Sequence, residues 1–244
     1  MRGRFRGLFL LLFPLGLAAA EIAGTAEPEA LALIERAQRD RANGYWQRSE
    51  TEYQRAIAII ENSSGPQSAD LTPALNGLAE LDFAAGRHTE AEALSKRSAA
   101  LVEATLGSAH PLMATALQNL AAIYHVQGQY AKAEPLYYRA LAIREAALGA
   151  GHPFVATTLE NLAEMERAQG YYNRAAVHYG RAVEIRQRAY GIEDPRVAAT
   201  LARYAAVLRK ARRRHEAASA EAQSRAILAH AAFSSAGSDA RAMH

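Results

Sequence analysis

His110-Pro111 and His152-Pro153 stand 42 residues apart, and imidazoles at a fixed spacing raise the question of a shared metal. The matching position one period later is Asp194-Pro195. Asp and neutral His have one property in common there. Each offers an acceptor to the free N–H groups of a helix whose first residue is Pro. A position that alternates between His and Asp before Pro is therefore expected to be a helix cap and not a ligand. His88, His125 and His178 fall in no HExxH or comparable ligand spacing. The chain has no cysteine, which removes disulfides, thiolate ligands and a Cys nucleophile. It also has no G-x-S-x-G, no glycine-rich phosphate loop and no repeated carboxylate pair in an apolar setting. No catalytic residue, metal or cofactor is expected, and the chain reads as a non-enzyme.

Two further sets carry binding chemistry. Arg209, Lys210, Arg212, Arg213 and Arg214 gather five cations within six residues. They suit an anionic contact such as lipid phosphate, an acidic polymer or an acidic partner, or else form a solvated turn. Tyr124, Tyr130, Tyr137, Tyr138, Tyr171, Tyr172 and Tyr179 suggest an aromatic stripe. Most of them recur at packing positions, so a core role is expected for all but Tyr138 and Tyr171.

The chain begins with Arg2, Arg4 and Arg6, an apolar run from Gly7 to Leu17, and Ala18-Ala19-Ala20 before Glu21. This is the three-part pattern of a secretory signal, expected to span 1–20. The run is short for a bilayer span, so an uncleaved N-terminal anchor is the alternative. The whole chain carries 28 basic and 25 acidic residues. Losing three arginines with the signal leaves the two signs equal, so an overall nucleic-acid footprint is not supported. No integral membrane span is expected after cleavage. The Ala-rich signal and the Cys-free remainder point to a bacterial periplasm.

The elements that must position these residues follow a register of 42. Leu33, Leu75, Leu117, Leu159 and Leu201 keep it, as do Ala37, Ala79, Ala121, Ala163 and Ala205. Gly44, Gly86, Gly128 and Gly170 form a third set, broken by Arg212, and Arg55, Arg97, Arg139 and Arg181 a fourth. Five units result, at about 26–67, 68–109, 110–151, 152–193 and 194–232, in a domain 21–232, with a polar tail 233–244 expected to be disordered. Each unit shows 3.6-residue periodicity in two segments joined at a glycine, which predicts two helices. A single such hairpin cannot bury both faces, so the units must stack. The last unit is Ala-rich and poor in large apolar residues, as a terminal cap requires.

Residues 110–151 and 152–191 resemble the 42-residue tetratricopeptide repeat of the kinesin-light-chain variety, from His-Pro through Leu-x-Asn-Leu-Ala to the closing glycine, as Leu148-Gly149 in the first and Tyr190-Gly191 in the second. The resemblance covers essentially all of 26–232. It implies an all-α, right-handed superhelical solenoid of about five helix-turn-helix repeats, whose inner face is lined by the first helix of each pair. It further implies a peptide-binding groove on that face at Asn76, Gln118, Asn119, His125, Glu160, Asn161 and Arg167. An amide offers both donor and acceptor, so Asn119 and Asn161 there suit the backbone of a bound peptide. The expected function is an exported, non-catalytic scaffold for a protein or peptide. The alternative is an accessory subunit of a cell-envelope assembly, held through its edges or its basic turn, with peripheral membrane contact. Oligomeric state is not legible.

Overall fold

Each 42-residue period folds as one helix–turn–helix hairpin. The computed structural model describes residues 27–242, with side chains to residue 232. The expected signal at 1–20 lies outside the described residues, as do the side chains of the expected tail. Among the described residues there are ten α-helices and no strand. In chain order they are α1 Pro28–Ala42, α2 Trp46–Ser64, α3 Thr72–Ala84, α4 His88–Thr105 and α5 Pro111–Val126. They continue as α6 Tyr130–Leu148, α7 Pro153–Ala168, α8 Tyr172–Tyr190, α9 Pro195–Lys210 and α10 Arg214–Ala242. A short 3-10 turn, Ala69–Leu71, precedes α3. None of the described helices is long and apolar enough to cross a membrane.

The register explains where these helices begin and end. Pro111, Pro153 and Pro195 open α5, α7 and α9, where a missing N–H costs nothing. The first helix of each pair closes through a residue at positive φ, Gly128 at 73° and Gly170 at 83° among them. Behind the second of these, Tyr171 N–H reaches back to Glu166 O at 2.8 Å, satisfying a carbonyl that the helix end leaves open. Arg212 adopts the same geometry at φ 63°, and Arg213 N–H bonds Leu208 O at 2.9 Å. The turn is thus kept in the last unit although the glycine is not.

The chain divides within α6 into two compact units, one up to Ile143 and one from Arg144. In the first, Leu33, Ile34 and Ala37 of α1 and Tyr53, Ala56 and Ile60 of α2 pack with Leu75, Leu78 and Leu81 of α3. A second cluster joins Val102 to Leu112, Met113, Leu117, Ala140 and Ile143. In the second unit, Ala163, Ala175, Tyr179 and Val183 pack with Val197, Leu201, Ala205 and Leu208, and with Ala217, Ala220 and Ile227 of α10. The Leu and Ala registers are buried throughout, none more than 4% exposed.

Small residues set how closely the helices approach. A Cβ added at Gly77 of α3 would fall inside contact distance of the Tyr53 ring from α2. Gly77 occupies the register where the next two repeats carry Asn119 and Asn161. Ala121 is fully buried in α5. Ala121→Leu is expected to cost about 1–3 kcal/mol through overpacking. A melting curve tests this, and an unshifted midpoint would mean that the face of α5 is wrongly assigned.

The arginine register links neighbouring repeats. Arg97 pairs with Glu61, Arg139 with Glu103 and Arg181 with Glu145, each joining the second helix of one repeat to that of the repeat before. These pairs are solvated, so each contributes little to stability and serves mainly to fix the stacking register.

Candidate functional site on the first helices of the repeats

The residues expected along the inner face lie on α3, α5 and α7, and six of the seven are buried. Asn76 is 0% exposed, Glu160 1%, Gln118 and Asn161 3%, His125 4% and Asn119 5%. A solvated polar strip is therefore excluded. Neither amide atom of Asn76 has a hydrogen-bond partner among the described residues, and neither has Nδ2 of Asn119. Leaving a buried amide unmatched costs about 1–3 kcal/mol per group, so such groups are uncommon without a reason. A narrow crevice, too tight to hold a water molecule, lies beside Asn119 and is lined by Ala79, Glu80 and Phe83 of α3 and by Asn119, Ala122 and Ile123 of α5. At its edge Glu80 holds Arg41 of α1 in an ion pair. The His125 ring tilts against Tyr130 at 5.8 Å.

Glu160 and Arg167 depart from the expected role. Glu160 accepts from Arg186 Nε at 2.7 Å and Nη2 at 3.2 Å, and from Thr200 Oγ1 at 2.6 Å. Arg203 approaches its second oxygen at 3.7 Å. Its carboxylate is thus spent within the fold, tying α7 to α8 and α9, and is not a groove contact. Arg167 is partly exposed but pairs with Glu164 at 2.7 Å.

Other buried charges have no counterpart in the expectations above. Arg186 and Arg144 stand 42 residues apart, 5% and 4% exposed. Arg144 donates to Thr158 Oγ1 at 2.7 Å and to the Phe154 carbonyl at 3.3 Å. Glu166, fully buried, meets Arg174 at 2.9 Å and His178 Nδ1 at 2.8 Å. The available signal was the pair of arginines at one register on a face otherwise apolar, as at Val102 and Ile60.

The His-Pro positions are caps. His110 Nδ1 accepts from Leu112 N–H at 3.2 Å, His152 Nδ1 from Phe154 N–H at 3.1 Å, and Asp194 from Arg196 N–H at 2.8 Å. An accepting Nδ1 requires the neutral ring. Burial, followed by the nearby Arg144 charge, lowers the pKa of His152 and favours that form. Its ring also meets Phe154 edge-on at 4.9 Å.

The basic run divides into matched and unmatched charges. Arg209 pairs with Glu221, and Arg213 with Glu216 through bonds of 2.7 and 2.5 Å. Arg214 opens α10 and is exposed. Lys210 and Arg212 line an open recess between two turns. Tyr137 and Tyr179 are fully buried, and burial pushes both phenols well above their ordinary range, so neither ionises. Tyr138 and Tyr171 stand out at 39% and 51% exposed.

Known proteins place this arrangement. The tetratricopeptide-repeat profile matches three overlapping stretches, 70–146, 112–187 and 154–229. No curated protein matches the chain. Among solved structures, a variant of a kinesin-light-chain-type protein of Podosopora anserina with nearly identical TPR-like repeats is 26% identical, with a TM-score of 0.67. The match covers 83% of this chain and 95% of that one. BtubC from P. vanneervenii is 22% identical over 82% of this chain and 89% of its own, with a TM-score of 0.68. MamA is 14% identical over 82% and 91%, with a TM-score of 0.51. The last two speak for the fold alone. Repeats of this kind are generally protein-interaction scaffolds, and with its register matched from 70 to 229, the chain belongs to the tetratricopeptide-repeat family, in its kinesin-light-chain-like form.

Proposed function

We propose that this protein is an exported, non-catalytic scaffold that binds an extended segment of a partner protein across the first helices of its repeats. One observation carries the reading. Asn76 and Asn119 sit on the first helices of a protein-interaction fold, buried, and no described residue satisfies either amide atom of Asn76 or Nδ2 of Asn119. A peptide backbone supplies a carbonyl and an N–H per residue, the two groups that an amide needs. The segment passes over Phe83 and Ala122, where the crevice adjoins Asn119. Export rests on the signal pattern of residues 1–20, and a bacterial periplasm is the compartment we assign to it.

Asn76→Ala with Asn119→Ala is expected to weaken the partner at least about tenfold, since one lost hydrogen bond to a buried group is worth on the order of 1.4 kcal/mol. The same pair should leave the melting midpoint unchanged or raise it, because it deletes unmatched buried groups from helices where Ala is favoured. The partner is first captured from the native host and then titrated by calorimetry. Unaltered affinity would refute the role of the amides.

A further inference from the structure

The first helices of the fourth and fifth repeats, α7 and α9, end in equivalent turns one period apart, with Gly170 and Arg212 at matching positions. Between the turns lies an open recess of about 430 Å³. Tyr171, Tyr172, Asn173 and Arg174 line one side, and Lys210 and Arg212 the other. Arg174 stacks over the exposed Tyr171 ring, 5.6 Å from its centre.

Two observations set this recess apart. The first concerns backbone strain. Arg212 is the one non-glycine residue at positive φ among the described residues. The four preceding repeats have Gly44, Gly86, Gly128 and Gly170 at that position, with φ between 73° and 83°. A side chain is disfavoured there, and an outlier of this kind points towards function. The second concerns charge matching. Around the recess, Arg174 is matched by Glu166, Arg209 by Glu221 and Arg213 by Glu216. Lys210 and Arg212 are exposed and have no carboxylate within ion-pair distance among the described residues. The chain after residue 20 has equal numbers of basic and acidic residues, so this local excess is not a reflection of a generally cationic protein.

We propose that the recess formed by residues 170–174 and 210–212 docks a carboxylate-rich segment of a partner protein. Lys210 and Arg212 take the carboxylates as charge-assisted contacts. The Tyr171 and Tyr172 rings take the apolar stem of the segment, and the Asn173 amide takes its backbone. A protein segment fits better than a membrane because the charges line a recess between two turns rather than a flat face. It fits better than a free phosphate because two tyrosine rings and an amide accompany the cations. The site lies at the turns between paired helices and does not depend on the amides of α3 and α5.

The test titrates the full chain with a fluorescently labelled peptide of alternating glutamate and glycine, read by anisotropy. A peptide of alternating glutamine and glycine, inorganic phosphate and phosphatidylglycerol vesicles serve as comparisons. Saturable binding of the glutamate peptide alone is expected. Arg212→Gly and Lys210→Gln are each expected to weaken it about tenfold, the size of one charge-assisted contact. Arg212→Gly should at the same time raise the melting midpoint, because glycine relieves the positive φ. Asn76→Ala should leave peptide binding untouched, which separates this site from the first-helix face. Peptide affinity unchanged in both Arg212→Gly and Lys210→Gln would overturn the proposal. So would binding to the vesicles but not to the peptide.

Discussion

Glu160→Ala is expected to destabilise the protein by about 3–5 kcal/mol, the usual cost of breaking a buried ion pair from one side. Arg186 is 5% exposed and donates two of its three hydrogen bonds to this carboxylate. Without Glu160, its charge keeps only Thr157 at 3.2 Å. Thr200 on α9 loses its 2.6 Å partner as well. The damage therefore lies where α7, α8 and α9 meet, across the boundary of the fourth and fifth repeats. In a stack whose stability is a sum over neighbours, a weakened boundary releases the terminal hairpin first. Chemical denaturation should show a lower midpoint and a broader transition. Glu160→Leu combined with Arg186→Leu should recover most of the loss, since replacing both charges leaves nothing buried and unpaired. A midpoint unchanged in Glu160→Ala would show that Arg186 finds water without cost, contrary to the packing described here.

Tyr179→Ala should be comparably severe, at about 3–5 kcal/mol, from lost apolar burial and the cavity left behind. The ring is fully buried in the core of the second unit, in one cluster with Ala163, Ala175 and Ala205. Those alanines are the reason for the size of the effect. They are too small to collapse into the space that a tyrosine leaves. Tyr179→Phe keeps the ring and removes only the hydroxyl that donates to Glu164. It should cost about 1 kcal/mol, the net worth of one hydrogen bond. Thermal melts of the two variants separate packing from hydrogen bonding. Equal losses in both would place the stability in the hydroxyl and not in the ring.

The fold was legible because stacking leaves a physical period in the sequence. Leu117 and Ala121 recur at 42 residues since every repeat must bury the same face against the next. The His-Pro positions were legible as caps because Asp194 performs the same task with different chemistry. The site was less legible, because burial of a polar residue depends on what lies opposite in space. Glu160 resembles a groove residue by register, but Arg186, Thr200 and Arg203 converge on it from other helices. Arg144 and Arg186 were not singled out in the sequence, because only the packing of their helices encloses them. The basic run looked uniform along the chain, and only the helix pairing of α9 and α10 brings Glu221 to Arg209. Arg212 looked like a broken glycine register, whereas the backbone keeps the glycine conformation and carries a side chain in it.

The partner chain proposed above lies along the first helices of the repeats. The most direct measurement places a photo-crosslinking residue at Phe83, which borders the crevice beside Asn119, and another at Lys96, which is solvated on α4. Each variant is illuminated with the captured partner, and the linked peptides are mapped by mass spectrometry. Crosslinks from position 83 and none from position 96 are the predicted result. Crosslinks from position 96 with none from position 83 would contradict the account.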